Sequence, residues 1–250
     1  MKYSVDSLST SSTLSTALNI YRDNFVSFAI IVGVVWLPAQ FISHAIGGIA
    51  LATQSVFITV AMMLAISAPL FASFILQSSA SAVAVAQACL GQRPTLASAY
   101  LGALPRLLDI FLTSVLYGLA VLVGFLCLVI PGIIMVFRYA YALPIVIVEK
   151  LPPMDAMRRS AALTEGRKGQ LFLSLLIVGL VTGVVVKLSQ SLLGEIAVPV
   201  LGDVLRAAPE VLLGPVAPIV IMLDYLSART AKEGFGLEQL GTAPAGPSTT

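Results

Sequence analysis

Residues 107–150 read LLDIFLTSVLYGLAVLVGFLCLVIPGIIMVFRYAYALPIVIVEK, and ahead of the closing Glu149-Lys150 pair the only charges are Asp109 and Arg138. A helix that crosses a hydrocarbon core of about 30 Å needs about 20 residues, so this stretch is long enough to cross twice, with its turn at Pro131-Gly132. Only helices and closed barrels satisfy their backbone groups in lipid, and the stretch shows no period-2 alternation. It predicts a helical hairpin with lipid as its solvent.

Similar runs lie on both sides of it. Apolar stretches from Phe25 to Ile46, Val56 to Leu76, Leu107 to Ile130, Ile133 to Val148, Leu171 to Leu188 and Val211 to Leu226 predict six spans. The composition agrees, with 58% of the 250 residues hydrophobic, 10% charged and a mean hydropathy of +0.99. The expected fold is all-α, a polytopic membrane protein of six transmembrane helices. Residues 1–24 are read as an N-terminal segment, 25–228 as the six-span domain, and 229–250 as a tail with a disordered end. A cleaved leader is not expected, because the first apolar run starts only at Phe25 and is too long for a signal-peptide core.

Orientation follows from Lys and Arg between the spans. Lys2, Arg22, Arg93, Arg106, Lys150, Arg158, Arg159, Arg167, Lys168, Arg229 and Lys232 fall on one side, eleven of the 14 basic residues. That side is expected to be the cytoplasm, which places both termini there. The net charge of +2 is small and points to no nucleic-acid partner.

Segments ahead of three spans share a pattern. Ser12 to Asn24 sets Leu14, Leu18 and Tyr21 at helical spacing; Thr95 to Leu104 groups Leu96, Ala99 and Tyr100; Pro152 to Thr164 groups Met154, Met157, Ala161 and Leu163 opposite Arg158 and Arg159. Each predicts a short amphipathic helix in the cytoplasmic interface, so the chain reads as three units of interfacial helix plus hairpin, entered near Ala17, Ala99 and Ala156. The second span continues as Gln77 to Leu90 without a breaker, and Ala80, Ala84 and Ala88 give it a face for close helix approach.

Charges within or bordering the apolar runs are the first site candidates, since an ionised side chain in hydrocarbon costs about 3 kcal/mol or more unless it is paired. Arg138, Asp224, Asp109 and Glu149 form this set, with Lys187 further along. Eleven helical residues from Glu149 place Arg138 about 16 Å deep, within reach of Asp224 or Asp109. Such a cluster is either a structural ion pair or a site for substrate or lipid headgroup. A second candidate is the loop of Arg158, Arg159, Arg167 and Lys168, read either as an anionic-headgroup site or as a topology signal alone.

Other chemistries find little support. His44 is the single histidine, and acids on its side are limited to Glu195, Asp203 and Glu210, so neither a common metal site nor a Ser/His/Asp arrangement is expected. Cys89 and Cys127 sit at opposite membrane faces in this topology and cannot form a disulfide. No phosphate-binding glycine loop occurs. The reading is of no catalytic residue, no metal and no cofactor.

Two blocks carry a resemblance. Pro131-Gly132, Arg138, Ala142-Leu143-Pro144, Glu149, Ala156, Arg158-Arg159-Ser160, Leu163-Thr164 and Gly166 form the first; Asp224-Tyr225, Arg229, Lys232-Glu233-Gly234-Phe235 and Leu237-Glu238 form the second. With Leu18, Tyr21, Arg22 and Asn24-Phe25, this pattern resembles the membrane domain fused to some bacterial glycerophosphodiester phosphodiesterases, and its stand-alone YciC-like relatives. Asp224 precedes Tyr225 where that tail has the reverse order. The resemblance implies a multi-pass protein of the bacterial cytoplasmic (inner) membrane and no phosphodiesterase activity. The function expected is a non-catalytic one, organising membrane lipids, anionic ones among them, or protein partners still to be identified. The alternative is a transporter or flippase of lipid or small solute built around Arg138.

Overall fold

The computed structural model describes residues 9–52, 55–193, 205 and 208–234, and every element among them is helical. Six helical segments are long and apolar enough to cross a bilayer. The chain is thus an all-α polytopic membrane protein. Three short helices precede spans, α1 (Thr10–Asp23), α4 (Leu96–Ala103) and α8 (Pro153–Leu163); α1 and α8 are amphipathic as expected, whereas α4 carries no charge and is apolar on most sides. The Ser9 side chain accepts from the Ser12 N–H to cap α1, and Thr95 forms a reciprocal capping box with Ser98 on α4.

Helix α2 (Phe25–Ala52) follows α1 after the single residue Asn24, whose side chain bonds the Ile20 carbonyl at 3.1 Å. Helix α3 (Val56–Cys89) has 34 residues and is about 51 Å long, well beyond the hydrocarbon thickness. Pro38 and Pro69 lie inside these two helices. The second half of α3 is the buried half: Ala80 and Ala84 are fully buried and Ala88 nearly so.

The hairpin at residues 107–148 departs from expectation in two places. Helix α5 (Leu107–Cys127) ends at Leu128, whose extended backbone makes the turn, and Pro131 falls in the first turn of α6 (Val129–Arg138). Proline is tolerated there because its missing N–H would have no helical partner. The fourth span is also not one helix. It breaks at Tyr139-Ala140-Tyr141 and resumes as α7 (Ala142–Val148). Hydroxyls of α8 cover the freed backbone groups: Ser160 and Thr164 donate to the Arg138 carbonyl at 3.0 and 3.1 Å, and the Tyr141 N–H donates to Ser160 at 3.1 Å. A break at membrane depth is tolerated where protein satisfies it in this way.

Helix α9 (Lys168–Leu193) precedes a short helical stretch at 208–213, which Gly214 and Pro215 join to α10 (Val216–Glu233). Two thirds of the last span is buried, 67% against 11–33% for the others, so α10 is the central helix. Helices α1 and α8 pack against α10, and α4 packs against α3. Ala17, Ala99 and Ala156 are each fully buried, and a methyl side chain at each position lets the short helix come close. Tyrosines tie the elements further: Tyr21 donates to the Leu212 carbonyl, and Tyr100 to the Ile31 carbonyl at 2.6 Å. Burial raises the Tyr21 phenol above its ordinary value, which keeps it a donor. Away from this core, α2, α5, α6 and α9 present exposed Leu, Ile, Val and Phe, as lipid-facing helices must.

Candidate functional site

Asp224 is fully buried on α10, and its carboxylate has three donors. The Tyr141 hydroxyl reaches it at 2.5 Å, Arg167 Nη2 at 3.3 Å and Gln170 Nε2 at 3.3 Å. Arg167 also donates to Ser227 at 3.1 Å. Gly166 ends the turn after α8 with φ of +81°, a conformation suited to glycine, and the chain leaves it with Arg167 directed at α10. Tyr141 stands at the break in the fourth span, so the carboxylate joins three elements at one point.

A second cluster surrounds Glu149, the residue that closes α7. Its Oε1 accepts from the Tyr225 hydroxyl at 2.8 Å and lies 3.5 Å from Arg229 Nε, while its Oε2 accepts from Arg159. Arg159 continues to Glu233 at 2.8 Å, and Arg229 meets the same carboxylate at 3.3 Å. Burial alone would lower the Arg159 guanidinium, but its bonds and charge interactions with Glu233 and Glu149 outweigh that and raise it above its ordinary value. Lys232 donates to the Ala162 and Glu165 carbonyls, both at 2.8 Å, capping the end of α8. Together these contacts fasten α8 to the end of α10.

The expected intramembrane set is therefore divided. Arg138 does not meet Asp224 or Asp109. It is exposed at the end of α6, its guanidinium 5.9 Å from the Tyr139 ring centroid, because the break at 139–141 removes the continuous helix on which its depth was counted. Asp109 pairs instead with Arg106, 3.1 Å away and one turn earlier. The basic loop is divided as well. Arg159 and Arg167 turn inward to carboxylates, whereas Arg158 is 78% exposed with Asp155 at 3.7 Å, and Lys168 opens α9 half-buried.

Of the acids assigned to the opposite side, Glu195 and Asp203 lie outside the described residues, as does the end of the tail. Glu210 accepts from Trp36 Nε1 and Gln40 Nε2, both at 3.1 Å. Lys187 is exposed on α9. Cys89 and Cys127 are free, the first buried and the second exposed. No three His, Cys, Asp or Glu side chains gather as a metal set among the described residues. Sequence reasoning missed Tyr141 and Gln170, and it named Tyr225 and Glu233 only as carriers of the resemblance, with no place in a site. The four-residue steps Tyr225-Arg229-Glu233 and Ser160-Thr164 were the available signal, since they place those groups on one helix face. Comparison with known proteins gives no match, whether to a family model, a curated protein or a solved structure.

Proposed function

We propose that the protein is a non-catalytic component of the bacterial inner membrane that organises lipids or partner proteins at the cytoplasmic face. The supporting observation is how its charges are used. Asp224 and Glu149 are closed off by internal donors, which suits a structural role, while Arg158 and Lys168 flank the α8–α9 connection without a tight carboxylate partner among the described residues. Basic side chains beside an apolar surface attract anionic lipid. Kinship with the phosphodiesterase-associated membrane domain belongs to the same proposal. Its motif residues Glu149, Arg159, Asp224, Tyr225 and Arg229 meet in the two clusters, and Ser160 and Thr164 bond the break between α6 and α7.

The break in the fourth span favours the alternative, a transporter or flippase working around Arg138, since discontinuous helices often line transport sites. Against it, the Arg138 carbonyl and the Tyr141 N–H are already bonded to α8. Lipid analysis of the detergent-extracted chain separates the readings. Organisation of lipid predicts anionic phospholipid enriched over its share of the membrane, and no uptake or lipid scrambling in vesicles. Scrambling or uptake without enrichment would overturn the proposal.

A further inference from the structure

Arg138 ends α6 inside the fourth span, exposed, and no carboxylate among the described residues lies within ion-pair distance of it. An ionised side chain at such a place needs a partner. Lys168 opens α9, and it too meets no described carboxylate. The two helices touch just beyond these cations: the Phe137 and Phe172 rings meet edge to face, with centroids 5.4 Å apart. Phe172 follows Lys168 by four residues, so both stand on the α9 face that meets the end of α6. Away from the cations the seam is apolar and open, with Ile133 and Ile134 exposed on α6 and Leu173 and Leu176 on α9.

We propose that the α6–α9 seam holds an anionic phospholipid, with its phosphate between Arg138 and Lys168 and its chains along Ile134 and Leu176. This rests on the lipid reading above and adds to it a place and a lipid class. A guanidinium fork matches phosphate oxygens two at a time, and the lysine supplies a second charge. The surrounding exposed surface is hydrocarbon-facing, so an anion carrying its own chains fits where a free one would lose its water. Arg158 stands outside this seam, on the solvent side of α8.

Native mass spectrometry of the full chain in detergent, titrated with phosphatidylglycerol and with phosphatidylcholine of equal chain length, tests the site. Wild type should prefer phosphatidylglycerol. Arg138→Gln and Lys168→Gln should each weaken that lipid about fivefold and leave phosphatidylcholine unchanged. Arg93→Gln, exposed in the loop ahead of α4, should bind as wild type does. If Arg138→Gln fails to fold, Lys168→Gln decides the matter alongside Arg138→Lys, which keeps the charge and should keep binding. Undiminished phosphatidylglycerol binding in Lys168→Gln overturns the seam and leaves the lipid reading standing; a wild type without preference overturns both.

Discussion

Arg167 reaches Asp224 across 3.3 Å, from the residue before α9 to the fully buried acid on the central helix. Arg138, the deeper cation by sequence count, is elsewhere. The consequence is mechanical: the start of α9, the break at Tyr141 and the middle of α10 share one carboxylate. Moving any one of them uncovers a charge in a place without water.

Asp224→Leu should therefore lower unfolding stability by about 3–5 kcal/mol, since it leaves Arg167 partly buried and unpaired. Adding Arg167→Met should recover part of that loss. The same cycle run with Arg138→Leu should come out additive, because separated groups without shared partners do not couple. Thermal and denaturant melts in detergent measure both cycles. A stronger coupling of Asp224 to Arg138 than to Arg167 would contradict the observed pairing.

Glu149 offers a graded test. Glu149→Gln keeps the shape but removes the charge that faces Arg159, Arg229 and the Tyr225 hydroxyl, at an expected cost of about 1.5–3 kcal/mol. Tyr225→Phe loses one hydrogen bond and should cost about 1 kcal/mol. Limited proteolysis of α8 should follow the same order, because the cluster holds α8 to the end of α10. A larger effect from Tyr225→Phe would mean that the charge contributes little.

The spans were legible because hydropathy needs only length and composition; α2, α3 and α9 cover the runs that predicted them, and α5 covers all but the last three residues of its own. The break at Tyr139-Ala140-Tyr141 was not. Pro144 was a signal, since its ring takes the helical donor from the Ala140 carbonyl, but it does not fix the break, which is stabilised by two hydroxyls about twenty residues away, Ser160 and Thr164. That hidden break misplaced Arg138, and with it the partner of Asp224. Amphipathic spacing located α8 but could not tell Arg158 from Arg159. Adjacent residues on a helix differ by about 100° in direction, and only the position of Glu149 and Glu233 decides which one turns inward.

The hairpin turn gives a sharper steric prediction. A Cβ on Gly124 would lie 2.9 Å from the Gly132 Cα, a contact with backbone that no rotamer relieves. Gly124→Ala should open the α5–α6 hairpin and cost about 1–3 kcal/mol. Gly118→Ala on the same helix meets nothing within 4 Å and should be neutral or stabilising by up to about 1 kcal/mol. Equal melting shifts in the two variants would show that the hairpin is not closely packed at Gly124.

Sidedness can be tested with few changes to the chain. The Arg159–Glu233 ion pair and the Lys232 cap on α8 place the end of α10 beside the 150–167 connection, so these segments share one face whatever the orientation. The excess of Lys and Arg predicts that this face is the cytoplasmic one. Cys127, exposed beside the Leu128 turn, then belongs to the opposite face. A membrane-impermeant thiol reagent should label Cys127 in intact cells stripped of any outer barrier. In a Cys127→Ser background, Arg158→Cys should label only after permeabilisation; Cys89 is buried and should stay silent in both experiments. Labelling of Arg158→Cys from outside, with Cys127 protected, would invert the topology and with it the leaflet that the lipid seam faces.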